Sequence, residues 1–131
     1  MRDELYAIGL QMRREVVGTE YVKRSLEQAD DFSRDFQRLL TEYCWGGSWG
    51  RDGLSPRDRS LLNLAMLGTL NRGTEFKLHL RGALRNGCTM DEIRDTLIHL
   101  AVYAGAPAGV EAFRLAKEVF SELEDEAEGA G

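Results

Sequence analysis

Glu75 and His79 are the side chains of this sequence best placed to move a proton. They stand four positions apart in Asn71-Arg72-Gly73-Thr74-Glu75-Phe76-Lys77-Leu78-His79-Leu80-Arg81. At about 100° per residue, a helix through this stretch gathers Arg72, Glu75 and His79 into one arc of about 60°. Phe76, Leu80 and Ala83 fill the neighbouring arc, and Lys77, Arg81 and Arg85 fall on the far side, toward water. A carboxylate and an imidazole one helical turn apart can meet. At the border of an apolar face such a half-buried pair holds a proton near neutral pH. Arg72 adds a cation for an anionic substrate. The same spacing also makes a plain helix-stabilising contact, worth about 0.2–0.5 kcal/mol.

His99 is the only other histidine. It lies one turn before Tyr103, off the apolar arc of Leu97, Leu100 and Ala101, where it serves either helix or subunit packing or a second polar wall of a pocket. Trp45 and Trp49, the only tryptophans, fall in the glycine-rich stretch Cys44-Trp45-Gly46-Gly47-Ser48-Trp49-Gly50-Arg51-Asp52-Gly53-Leu54. Such a stretch reads as a loop. Two aromatics and Arg51 on a loop suit a lid over an anionic organic ligand, or an anchor for the loop itself. Arg57 and Arg59, just beyond, either face an anion or form ion pairs.

Helices must position these residues. Ser55-Pro56 reads as an N-cap and first helical residue, and Pro107 marks another start. Thr89-Met90-Asp91-Glu92 is a capping box, and Gly87 after Asn86 suits a helix stop. Apolar residues recur at three and four over 3–17, 20–29 and 31–44, the last with Phe32, Phe36, Leu39, Leu40 and Tyr43. A helix over 56–70, apolar nearly all round, should be central and buried. Helices over 72–86, 90–104 and 107–125 complete the set. No stretch alternates as a strand does, so the fold class is all-α.

With 131 residues, 43% hydrophobic and 30% charged, the chain has the balance of a soluble globular protein and reads as a single domain over residues 1–125. The last residues, 126–131, read as an acidic, flexible tail. The net charge of −5 belongs to the C-terminal end: residues 1–117 carry 17 basic and 16 acidic side chains. A nearly neutral body argues against nucleic acid as a partner. No apolar run suits a membrane span, and the charged N-terminus lacks the apolar core of a secretory signal. Cys44 and Cys88 form no CxxC and no metal-ligand spacing with the histidines; reduced thiols in a cytoplasmic protein are the expectation, with no metal.

Several stretches together resemble the 4-carboxymuconolactone decarboxylases. They are the tryptophan-rich segment 44–54; Arg59-Ser60-Leu61-Leu62; Asn71-Arg72 with Glu75-Phe76-Lys77-Leu78-His79-Leu80-Arg81; Asn86-Gly87 leading into Asp91-Glu92-Ile93; and His99 with Tyr103-Ala104-Gly105-Ala106-Pro107-Ala108. Met12-Arg13-Arg14-Glu15-Val16 and Arg24-Ser25-Leu26 also fit. The resemblance runs over about residues 5–123. It implies an alkylhydroperoxidase D-like helical bundle of about six to seven helices, assembled as a homo-oligomer, a hexamer or trimer. Redox members of that wider superfamily carry C-x-x-C-x-x-x-H on one helix. Laid on this chain, the histidine falls on His79 and the cysteines on Arg72 and Glu75, so the thiol-exchange branch lacks its nucleophile. Asp52 departs from the decarboxylase pattern, which commonly has proline there, and keeps open a different lactone or enolisable acid as substrate.

The resemblance implies cofactor-free decarboxylation of a lactone dicarboxylate in protocatechuate catabolism, giving 3-oxoadipate enol-lactone. Electrons left by carbon dioxide spread to the lactone carbonyl oxygen, which must be stabilised, and a distal carbon must be protonated. The unsaturated lactone is its own electron sink, so no cofactor is implied. His79 is expected as general acid or oxyanion donor with Glu75 orienting it, or the two with roles exchanged. Arg72 or Arg51 would hold the retained carboxylate. Trp45 or Trp49 would face the departing one, and His99 would wall the pocket.

Overall fold

The computed structural model describes residues 1–130, all placed in helices and short connections. Seven α-helices follow one another: α1 (Arg2–Val17), α2 (Thr19–Glu27), α3 (Arg34–Leu40), α4 (Pro56–Thr69), α5 (Gly73–Arg85), α6 (Met90–Ala104) and α7 (Ala106–Ala130). A π-helical segment, Thr41–Trp49, continues directly from α3. The described residues contain no strand. They form two compact units, Met1–Arg59 and Ser60 onward, with α4 starting in the first and running into the second. The sequence punctuation holds. Ser55 Oγ accepts from the Asp58 amide at 3.1 Å, and Thr89 and Glu92 complete their capping box at 2.8 and 3.1 Å. Gly87 turns the chain after α5 at φ 89°, a conformation a side chain would strain.

The first unit is built on backbone contact between α1 and the π-helical segment. A Cβ on Gly9 would stand 2.0 Å from the Thr41 carbonyl oxygen, and one on Gly46 2.2 Å from that of Leu5. Both positions therefore need glycine, and the glycines expected to make 46–54 a loop instead let Thr41–Trp49 lie against α1. The loop begins only at Gly50. Polar side chains lock the same joint. Arg13, 4% exposed, donates to Thr41 Oγ1 at 3.2 Å and Gln37 Oε1 at 3.0 Å, and burial pulls its pKa down. Glu42, also buried, accepts from Arg38 at 2.7 Å and Arg2 at 3.3 Å.

Two expected core faces are exposed. Phe32, Phe36, Leu39 and Tyr43, the apolar series through α3, all face outward. Helix α4 buries only Ser60 and Leu64, and leaves Leu62 and Met66 open; Leu70, just past its end, is open too. Periodicity marks an apolar face correctly but does not say whether the same chain covers it.

In the second unit, Leu64, Phe76, Leu80, Ile93, Leu97 and Val119 are at the heart of a core drawn from α4 to α7. The basic residues of α5 do not simply face water. Lys77 meets Glu118 and Glu122 at 3.3 Å, and Arg81 meets Glu122 and Glu126 at 3.6 and 3.0 Å. Helix α7 accordingly continues to Ala130 through the residues read as a flexible tail. Glu118, Glu122 and Glu126 lie along the cations of α5, so part of the local excess of acid is offset across the helix pair.

Gly9→Ala should destabilise the protein by about 1–3 kcal/mol, through overpacking against backbone that cannot move aside. Gly53→Ala, whose Cβ would meet nothing within 4 Å, should stay within about 0.5 kcal/mol of wild type. Urea unfolding of the two variants checks the pair.

Candidate active site

The imidazole of His79 is the most unusual polar group of the second unit. Phe76, His79, Leu80 and Ala83 form the buried face of α5, and His79 is 9% exposed. Asn63 Nδ2, on α4, lies 3.4 Å from His79 Nδ1. One turn earlier on α4, buried Ser60 accepts from Asn86 Nδ2 at 2.9 Å, so two polar bridges join α4 to α5. Asn63 escaped the sequence reading because it sits among the leucines of α4, and only the pairing of the two helices reveals its partner. Burial pushes the His79 pKa down from 6.5 to about 4, although the charge of Glu75 pulls the other way. Desolvation wins because it acts on the whole ring, while Glu75 is exposed and its field is screened by water. At neutral pH the ring is therefore neutral.

The expected half-buried pair is thus unequal, with His79 inside and Glu75 outside. Arg72 leaves the shared arc altogether. It is the residue before the helix, at φ −99° and ψ 75°, and it is exposed. The turn that holds it includes Asn71 at φ 59°, a left-handed conformation asparagine tolerates better than most residues. His99 lies on the outer face of α6, its ring 4.8 Å from the largely exposed ring of Tyr103. The side chain is therefore turned away from the core of its own unit.

In the first unit the structure brings Trp45 and Trp49 together. Their rings stack with centroids 5.1 Å apart and planes 27° from parallel, and both are buried at 7% exposure. Of the lid and the anchor left open by the composition, the helical, internal pair matches the anchor. Arg51 is exposed just past the segment's end. Arg59, left open between anion binding and ion pairing, holds the connection. It donates to the carbonyls of Leu54 and Arg51, both at 3.3 Å, and to Ser48 Oγ at 3.4 Å.

Among the described residues no cluster of three or more His, Cys, Asp or Glu side chains is arranged to hold a metal ion, and no helix is long and apolar enough to cross a membrane. Cys44 and Cys88 form no disulfide, and burial raises the pKa of the Cys44 thiol, which makes it a poor nucleophile.

The helix that carries the buried imidazole of His79 has no thiol pair, so this all-helical scaffold holds no dithiol site on α5. Residues 34–118 match the carboxymuconolactone decarboxylase family, and the chain belongs to it. It is 44% identical over 124 residues to a 4-carboxymuconolactone decarboxylase of Acinetobacter baylyi, covering 94% of this chain and 92% of that protein. It is 40% identical over 124 residues to the nitrosuccinic acid decarboxylase npaB of Metarhizium robertsii, covering 95% and 87% respectively. A 4-carboxymuconolactone decarboxylase of Pseudomonas putida matches over 41 residues at 42% identity, which is 31% of this chain and 85% of that sequence.

The depressed pKa of His79 fixes a pH dependence of stability. Between about 6.5 and about 4 the unfolded chain takes up the proton and the folded chain resists it. The contribution of this residue is complete above pH 6.5 and is lost as pH falls through that window. Wild type should lose about 3 kcal/mol more stability between pH 7 and pH 4 than His79→Gln, measured by urea unfolding at each pH.

Proposed function

We propose that the protein decarboxylates 4-carboxymuconolactone to 3-oxoadipate enol-lactone, a step of protocatechuate catabolism in the cytoplasm. The observation that carries this reading is the 44% identity, over nearly the whole of both chains, to a protein of that name. The chemistry suits the site. Loss of carbon dioxide from the saturated ring carbon sends an electron pair through the double bond to the lactone carbonyl oxygen. A proton then adds to the carbon beside that carbonyl. A buried hydrogen-bond donor aimed at the developing oxyanion lowers this barrier most effectively where water is excluded, and His79 is such a group. Glu75, at the solvent edge of the same helix face, tunes the ring electrostatically and can pass protons to and from water. Arg72 and Arg51, both exposed cations, are assigned to the carboxylate that remains, and the stacked Trp45 and Trp49 to the apolar surroundings of the one that leaves.

The relative named for nitrosuccinic acid supports a second reading, at 40% identity over the same length. A nitro group can accept the electron pair of a neighbouring carbanion as a lactone carbonyl does, so one donor can serve both reactions. Asp52, in the exposed connection after Trp49, is the residue through which we expect substrate preference to be altered. Purified protein should release carbon dioxide from freshly prepared 4-carboxymuconolactone faster than from nitrosuccinic acid; the opposite order would favour the second reading. His79→Ala should lower kcat at least tenfold with helix content unchanged, and Arg72→Ala should act mainly through KM. Near-normal turnover by His79→Ala would remove the ring from the mechanism.

We further assign the protein to a homo-oligomer, a hexamer or trimer. The outward series Phe32, Phe36, Leu39 and Tyr43 in one unit, and Ile98, Val102 and Tyr103 in the other, support this, since contiguous apolar surface of this kind is normally covered. His99 lies beside the second series and belongs to a contact between copies, where it can wall a neighbour's pocket. Phe36→Asp should shift the protein to smaller species in light scattering coupled to gel filtration.

A further inference from the structure

The contact between Asn63 and His79 carries more than helix packing. A neutral imidazole has one N–H and one lone pair, and its partner decides which nitrogen holds which. The Asn63 group 3.4 Å from His79 Nδ1 is the amide nitrogen, a donor with no lone pair to offer. A donor facing Nδ1 requires the lone pair there and leaves the proton on Nε2. Protonating the ring would set N–H against N–H in a site only 9% exposed, so the same contact opposes the imidazolium. The opposite amide orientation would place a carbonyl oxygen at Nδ1, draw the proton there and turn Nε2 into an acceptor. In this contact the orientation of the Asn63 amide therefore favours the proton on Nε2.

We infer that Asn63 is a positioning residue that fixes His79 as the neutral Nε2–H tautomer, so that the ring enters the reaction as a hydrogen-bond donor to the enolate oxygen and not as a proton-transferring acid. This rests on His79 belonging to the catalytic centre. The balance of the reaction follows. Carbon–carbon bond cleavage releases carbon dioxide, and the electron pair comes to rest on the carbonyl oxygen, hydrogen-bonded by Nε2–H. A neutral imidazole that gave this proton away would become an imidazolate, which is too basic to form here. The proton that ends on carbon is therefore drawn from water, as the pair returns from oxygen to carbon; the hydroxide left behind passes to solvent, and the ring is unchanged after each turnover. Burial supports the same state independently, since it holds the ring neutral well below physiological pH.

The test is a long-range proton–nitrogen correlation spectrum of the 15N-labelled protein at neutral pH, with the His79 signals identified by their loss in His79→Gln. The expected pattern is a protonated Nε2 and an unprotonated Nδ1. In Asn63→Leu it should become a tautomer mixture, with kcat down about tenfold to a hundredfold and KM little changed. In Asn63→Asp, whose carboxylate accepts from Nδ1–H, the pattern should reverse or the ring should protonate, with a kcat loss at least as large. A wild-type spectrum with the proton on Nδ1 overturns the inference, as does Asn63→Leu with unaltered tautomer and kcat. If Asn63→Leu fails to fold, the wild-type and Asn63→Asp spectra decide. Full activity in His79→Gln would instead remove the underlying assignment of His79, whatever the tautomer.

Discussion

Keeping one imidazole out of water is the constraint around which the second unit is organised. A histidine on the face shared by Phe76, Leu80 and Ala83 can remain there only neutral, and only if its ring nitrogens are accommodated by hydrogen-bonding groups. That requirement brings a polar side chain onto the leucine-rich face of α4. It also sets the helix pairing, because Asn63 and Ser60 must both face α5 if the Asn63–His79 and Ser60–Asn86 bridges are to form. The ionic contacts lie at the opposite edge, between α5 and α7, where water screens them and each contributes little. Apolar burial stabilises the core, and the polar bridges select its register.

The first unit meets a different constraint. A π-helical turn is wider and less favourable than an α-helical one, and here it is sustained by close backbone packing and by two buried charged side chains. Gly9 and Gly46 allow the approach. Arg13 and Glu42, each buried and with two polar partners, tie the segment to its neighbours. The result is a rigid seat for the Trp45–Trp49 stack. The two rings are thereby held as a fixed, internal pair.

Much of the helical framework was legible because it is written in local chemistry. Ser55, Thr89 with Glu92, and Gly87 act on neighbours a few positions away, and the structure uses each as expected. The π-helical segment was not legible, because its glycines signal close contact with α1, and composition alone cannot separate that from a turn. The exposure of Phe36 and Met66 was hidden for a related reason: periodicity records which residues share a face, and not what the face meets. At the site, the His79–Glu75 spacing was visible while the inequality of the two environments was not, since burial depends on α4. Asn63 was invisible for the same reason. Arg72 was misplaced by one residue of helix, which suffices to take a side chain off an arc.

Where Arg72 and Glu75 sit also bears on how such a scaffold changes trade. The redox pattern C-x-x-C-x-x-x-H, laid on this chain, puts its cysteines at those two positions and its histidine at His79. Here both occupy the exposed opening of α5, outside the packed core. A helix start lowers the pKa of thiols as readily as it accommodates a carboxylate. The two positions can therefore be exchanged at little thermodynamic penalty, while the ring beneath them keeps its surroundings. On this chain such an exchange would touch a single solvent-facing turn and leave the interior as it is.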